Sequence, residues 1–556
     1  MKYTNQKFDR VIYSIIGIFF LSIAIRFVLA NFYPKTINCY PDELLYLSFG
    51  ESLWNNHALL VGNMPSVFDK AAYPILIAPS FIFSDVKVQG MMIALINSLL
   101  MSLGIFPVYG LAKRILADYK CVLFCVVLYA ICPTLTYSMT FMSENLSVPL
   151  SLFCIYFVYR FWEVSKLRWK LGFGLLSALS MLLCYLTKDI ALAFPVAFVL
   201  VVLTDWVFGK DRKKRIGAIL IGVAVVIAGT WVGFNRLFPA DILNKSGYVV
   251  FGFLFFLVFS VLGFCVIPVL LPGIHFRDMD VKSQKLYLFL MYTLVVTGAV
   301  VSCLIYTRED YPSLTPRAHL RYVEFLFIPL AVLLLRVIEL KAVTASKRVV
   351  IGVFGVWAVM LLAVFQGFFG QTIDHTMLFY WQLFARDGKL FSPVVVKAVC
   401  VAVIAVITGG MVLYYRKHEM FDRVLAVGLA IMCLGNSALS IFVQYKTHTH
   451  SEAETVEMEQ LRDFVREHSD ENFLVLEPES YCEMIDTFLV DCDNVRYGLG
   501  IGVMQDASKY VEPRDISYVI VWDEGDEVDA DAVLVERYES LGYLLYAIEG
   551  DWEYEN

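Results

Sequence analysis

Asp42 and Glu43 put two carboxylates side by side at the opening of an apolar stretch, in Tyr40-Pro41-Asp42-Glu43-Leu44-Leu45-Tyr46. A carboxylate so placed can take the proton of an attacking hydroxyl. Proline and acidic residues also favour the first turn of a helix, and opening a helix is compatible with holding a base there. Asp42 is the stronger candidate for the base, with Glu43 as its neighbour. Glu144, in Met142-Ser143-Glu144-Asn145-Leu146, is a further carboxylate at the start of another apolar run, where Ser143 could serve as the helix cap. Asn145-Leu146-Ser147 has the spacing of a glycosylation sequon, but it runs into an apolar segment and reads as coincidence.

The matching cations are Lys70 in Lys70-Ala71-Ala72-Tyr73-Pro74, Lys188 in Thr187-Lys188-Asp189, and the group Arg317, His319 and Arg321 in Arg317-Ala318-His319-Leu320-Arg321-Tyr322. Lysine and the planar guanidinium are the usual protein partners of phosphate. The bland reading of each lysine is a side chain that snorkels from a span to the interface. Acids that accept a proton, together with cations that stabilise a departing phosphate, are what transfer of a group from a phosphate ester requires. Because phosphate leaves readily, a single base suffices where glycosidases need two carboxylates.

These residues need elements to hold them, and the composition says what kind. Of 556 residues 59% are aliphatic, aromatic or cysteine and 17% are charged, against about 25% charged in soluble domains. Apolar runs long enough to cross a bilayer as helices are expected near 11–31, 88–110, 119–137, 144–161, 171–187, 190–208, 216–236, 247–272, 284–306, 320–336, 348–369, 392–414 and 421–443. The fold class is therefore an α-helical polytopic membrane protein of about 13 transmembrane helices. Loops that would face the cytoplasm with an inside N terminus carry 25 Lys and Arg, and outer loops before residue 440 carry 11. The N terminus is thus expected inside and the tail outside. On that topology Asp42, Glu43, Lys70, Glu144, Lys188, Asp189, Arg317, His319, Arg321 and Glu324 lie at or just beyond outer helix ends, in one layer at the depth of a lipid headgroup.

Two parts organise the chain: a transmembrane domain over 1–445 with a structured first outer loop at 32–87, and an extracytoplasmic domain over 446–556. Within that loop, Leu44, Leu45, Leu47, Phe49, Leu53 and Trp54 alternate with polar residues and suit a helix lying in the membrane interface. From Lys446 onward there are 29 Asp and Glu against 7 Lys and Arg, a charge that excludes nucleic acid as a partner. This tail reads as a small α/β unit with a helix over 454–468 and strands at 473–476, 516–522, 532–535 and 541–548. Cys482 and Cys492 both fall in it, where a disulfide is chemically permitted.

A transporter or glycan polymerase is the alternative class, and it predicts ionisable groups buried within spans. Here the spans are nearly free of such residues: Arg26 lies close to the outer end of the first helix and Lys397 near the outer end of the twelfth. With Asp42-Glu43 after one helix, Lys70 before Tyr73-Pro74, Ser143-Glu144 at the fourth helix and Arg321-Tyr322 opening a late one, the chain resembles the GT-C superfamily. Within it the resemblance is to the group of protein O-mannosyltransferases and lipid A aminoarabinose transferases, and it spans roughly residues 1 to 440. The resemblance implies an inverting glycosyltransferase that uses a polyprenyl-phosphate-linked sugar donor, with Asp42 as base and an extracytoplasmic glycan, lipid or protein as acceptor. It further implies a place in the cell envelope, in a bacterial plasma membrane. Lys70-Ala71-Ala72 departs from the lysine and paired prolines of the aminoarabinose enzymes, so donor identity does not carry over. The Trp-Trp-Asp-Tyr-Gly signature of oligosaccharyltransferases is absent, and Val521-Trp522-Asp523-Glu524-Gly525 matches it only in part. No acidic ligand set assembles convincingly from the outer loops, so a divalent cation is a minor expectation and no other cofactor is indicated.

Overall fold

The computed structural model describes residues 5–32, 41–61, 64–65, 70–208, 246–305, 319–341, 347–364, parts of 402–416, 418–448, 452–476, 492, 494–497, 516–522 and 532–548. The expected span at 216–236, nearly all of that at 392–414, Arg317 and Cys482 lie outside them. Among the described residues six helices are long and apolar enough to cross a membrane, and two further pairs qualify if each bent pair is one span. The chain divides into two compact units, one of Met1–Ser22, Ser102–Leu135 and Ser147–Ser440, the other of Ile23–Met101, Thr136–Leu146 and Ile441–Asn556.

From the N terminus run α1 (Asn5–Ala30), α2 (Pro41–Asn55), α3 (Ala72–Ile77), α4 (Val86–Leu103), α5 (Ile105–Ile115), α6 (Tyr119–Ile131), α7 (Glu144–Glu163), α8 (Leu167–Thr187) and α9 (Ala193–Phe208). Their apolar faces are what a lipid-exposed bundle needs: α8 leaves Leu167, Leu171 and Leu175 outermost, while Ser177, Ser180 and Cys184 turn inward. Serine can be buried there because each hydroxyl donates to the carbonyl four residues back, as Ser177 does to Phe173 and Ser180 to Leu176.

Two expectations need correcting. The span expected over 247–272 is broken: helix Ser246–Gly263 and helix Ile267–Ile274 meet at 96°, through Cys265 and Val266 at φ of 60° and 61°. A β-branched residue is strained at positive φ, and Pro268 then starts the new helix where its missing N–H costs nothing. The span expected over 320–336 does not open as an α-helix. Two 3₁₀ turns, Leu320–Tyr322 and Glu324–Leu326, precede helix Phe327–Glu339. The first-loop helix α2 packs one face into the protein. Leu45 through Gly50 are all buried, and Gly50 lets Phe81 and Ile77 approach so closely that a Cβ there would lie 2.8 Å from the Phe81 ring.

The tail forms a five-stranded sheet in the order β4-β3-β5-β7-β6, from β3 (Asn472–Leu476), β4 (Val495–Tyr497), β5 (Ile516–Trp522), β6 (Ala532–Tyr538) and β7 (Tyr543–Ile548). A two-residue ladder in the first loop, Leu60–Val61 with Met64–Pro65, supplies β1 and β2. β3 is parallel to β4 and β5, and β7 pairs antiparallel with β5 and β6. Helix Glu452–Glu467 covers one face through Met458, Leu461 and Val465, whose spacing of three and four puts them on one stripe over Phe473, Ile520 and Leu545. The Asn494 amide donates to the carbonyls of Val465, His468 and Glu471 and so satisfies the chain leaving that helix. Cys492 is buried in this core.

Candidate active site

The acidic residues gather in the second unit. Glu43 follows Asp42 in the first turn of α2, Lys70 precedes α3, and Glu144 opens α7. Glu43, Lys70 and Glu144 are all buried, at 2%, 4% and 1% exposure. Such groups enter a protein interior only where other polar groups receive them. Glu43 accepts the backbone N–H of Phe141, which ties α2 to the turn leading into α7. Ser143 accepts a hydrogen bond at 2.9 Å from the Tyr46 hydroxyl.

Tyr73 stands at the centre of this group. It is fully buried and packs edge-on against Tyr46 with ring centroids 5.4 Å apart. Its hydroxyl donates to Asn97 Oδ1 on α4 at 3.0 Å, and Asn97 Nδ2 donates onward to the Thr140 carbonyl at 3.0 Å. Burial pushes the Tyr73 hydroxyl far above its ordinary pKa, and the nearby charges of Glu43 and Glu144 push it the same way against the opposing bonds of Asn97 and Asn145. Tyr73 therefore stays a neutral donor, within electrostatic reach of both carboxylates. Asn145 spends its amide on the carbonyls of Tyr137, Thr140 and Met142 at 2.8, 3.0 and 2.9 Å and is fully buried, so the sequon is a structural asparagine.

Lys188, His319 and Arg321 gather in the first unit, around the ring of Tyr322. Lys188 Nζ lies 5.2 Å and the Arg321 guanidinium 5.1 Å from its centroid, and the His319 ring stacks on it at 6.0 Å and 17°. Arg321 Nη2 also donates to the Tyr322 hydroxyl at 3.3 Å. The 3₁₀ turns make this possible, because at three residues per turn His319 and Tyr322 eclipse one another. Lys188 reaches the same ring from the extended residue between α8 and the short turn Asp189–Leu192. The ring's negative face holds the cations together where bare charges would repel. Lys188, Arg321 and Tyr322 line a narrow cleft with Ser147, Ser151 and Thr297, whose free volume of about 20 Å³ suits a water or two. An anion entering it must move the two long basic side chains, which their flexibility allows.

Asp42 lies on α2, but its side chain is outside the described residues, as is all of Arg317. Among the described residues no three of His, Cys, Asp and Glu converge as a metal site. Sequence reasoning passed over Tyr46, Asn97 and the role of Asn145. An amide in the middle of an apolar run, as in Ile96-Asn97-Ser98, was the available clue, since it needs a polar partner inside the bundle.

Comparison with known proteins bears on the same chemistry. Residues 79–232 match the profile of the family described as dolichyl-phosphate-mannose-protein mannosyltransferase. Along 98% of both chains the fold superposes on ArnT from Cupriavidus metallidurans, solved bound to undecaprenyl phosphate, with TM-score 0.53 and 12% identity. This chain has the GT-C glycosyltransferase fold. The apo form of the same ArnT gives the same TM-score, identity and coverage. The Archaeoglobus fulgidus oligosaccharyltransferase is more distant, at TM-score 0.49 and 11% identity over 91% of this chain and 69% of that one. A comparison with curated proteins returns no match. The matched profile and the superposed fold are both those of membrane glycosyltransferases.

Proposed function

We propose that this GT-C protein transfers a sugar, with inversion, from a polyprenyl phosphate to an acceptor on the outer side of a bacterial plasma membrane. In this reading the acceptor oxygen attacks the anomeric carbon, its proton passes to Asp42, and the bond from that carbon to the phosphate oxygen breaks with the electron pair leaving on phosphate. Glu43 and Glu144 hold the acidic region in place, and Lys70 supplies a balancing positive charge. The cations around Tyr322 receive the phosphate, with Arg321 foremost and Arg317 beside it in sequence. The reading rests on one observation, the gathering of Lys188, His319 and Arg321 on a single tyrosine ring at a cleft. An apolar binding site gains nothing from such a cluster, whereas a phosphate dianion does. That the structurally similar ArnT was solved with undecaprenyl phosphate supports a lipid of that class as donor.

The proposed step is written without a metal, a divalent cation entering only as an accessory to the leaving phosphate, and transfer measured with and without a chelator decides between the two. Purified protein in nanodiscs, supplied with undecaprenyl-phosphate-linked hexoses and pentoses and an envelope glycolipid acceptor, is the assay. Asp42→Asn and Asp42→Ala should reduce transfer by about a hundredfold or more, the usual contribution of a general base. Undiminished transfer in both variants removes the mechanism, and movement of lipid-linked glycan without a new glycosidic bond removes the enzyme.

A further inference from the structure

The chain Tyr73–Asn97–Thr140 has no part in the reaction as written, yet it occupies the middle of the acidic region. Each of its three members comes from a different element: α3 of the first outer loop, the membrane helix α4, and the turn before α7. Tyr73 and Asn97 are fully buried, and Thr140 is 4% exposed. Each bond has normal length, 3.0 Å from Tyr73 to Asn97 and 3.0 Å from Asn97 to the Thr140 carbonyl. That carbonyl also receives Asn145 Nδ2 at 3.0 Å, so its two acceptor sites are filled by two amides held in fixed orientation. The next residue, Phe141, gives its N–H to Glu43, and three residues further on stands Glu144. The peptide group between Thr140 and Phe141 is thus held at both ends, its carbonyl by Asn97 and Asn145 and its N–H by Glu43.

We infer that Tyr73 and Asn97 are positioning residues, a buried clamp that fixes the 140–141 peptide and through it the orientation of the Glu43 carboxylate and the start of α7 at Glu144. The inference rests on the transferase reading only for its kinetic consequence. An apolar pair of the same shape would pack α3 on α4 equally well, but it would leave the Thr140 carbonyl short of a donor and let the turn shift. In a low-dielectric interior such a chain stands or falls as one unit.

Two readouts test this. Hydrogen exchange on the full chain in nanodiscs should show amides 141–143 exchanging about tenfold faster in Tyr73→Phe and Asn97→Leu than in the parent, with the C-terminal sheet unchanged. In the transfer assay each variant should lose about tenfold or more in kcat with the donor KM within about twofold, since misplacement rather than binding is affected. The double variant should lose no more than the worse single one, because both cut the same chain. Unchanged exchange, or a double-variant loss equal to the product of the single losses, overturns the clamp. Tyr73→Phe deletes one oxygen and keeps the test open if Asn97→Leu does not fold. If the parent transfers no sugar at all, the transferase reading fails while the exchange measurement still decides the clamp.

Discussion

Replacing Arg321 by glutamine keeps a planar N–H donor on a shorter side chain and deletes the charge. In the resting structure that charge faces the Tyr322 ring at 5.1 Å and donates one long hydrogen bond of 3.3 Å to its hydroxyl. Loss of that partly exposed cation–π contact by itself costs about 0.5–1 kcal/mol. Against a phosphate that gains charge as the sugar leaves, the same guanidinium acts as a preorganised donor. Loss of one such donor costs about 2.7–4 kcal/mol in the transition state, a fall of about 10²–10³ in rate. Arg321→Lys keeps the charge but loses the two-pronged geometry, and should fall between the variant and the parent. The assay is single-turnover transfer from an undecaprenyl-phosphate-linked sugar, with thermal unfolding measured on the same preparations. A loss under about threefold in Arg321→Gln, or a loss in Arg321→Lys as large as in Arg321→Gln, would refute the role given to this cluster.

Two further predictions concern the C-terminal domain. Glu457 accepts the backbone N–H groups of Ser540 at 2.8 Å and Leu541 at 3.0 Å, so Glu457→Gln should destabilise the domain by about 1–2 kcal/mol, read as faster limited proteolysis of the tail in the full chain. Burial pushes the Tyr538 hydroxyl up to about 12, with Glu536 and Glu457 adding to it. The folded domain therefore holds that proton more tightly than the unfolded chain does. Its stability is full below pH 10 and declines as pH rises from about 10 towards 12, and Tyr538→Phe should flatten that decline in an alkaline unfolding series.

Much of this architecture is readable from the sequence because it follows from local chemistry. Membrane helices announce themselves by length and apolarity, since backbone polar groups in lipid must pair within the helix whatever else surrounds it. The strands of the tail follow from short β-branched and aromatic runs, and β4 escapes because Val495–Tyr497 is too short to show a period. Glu43, Glu144 and Arg321 stand out in the sequence as charges at the ends of apolar runs, where charge is costly.

Other features were decided only by tertiary structure. That Arg321 and Tyr322 sit in 3₁₀ turns, with Lys188 brought to the same ring from more than a hundred residues away, follows from packing that no local window contains. The same holds for α2, whose residues read as an interfacial stripe until Ile77 and Phe81 close over Gly50. The 140–141 peptide, too, is gripped by Asn97 and Glu43 from elements that adjoin it only after folding. Propensity and hydropathy are set residue by residue, whereas the partner of a buried polar atom is set by which distant segment arrives beside it.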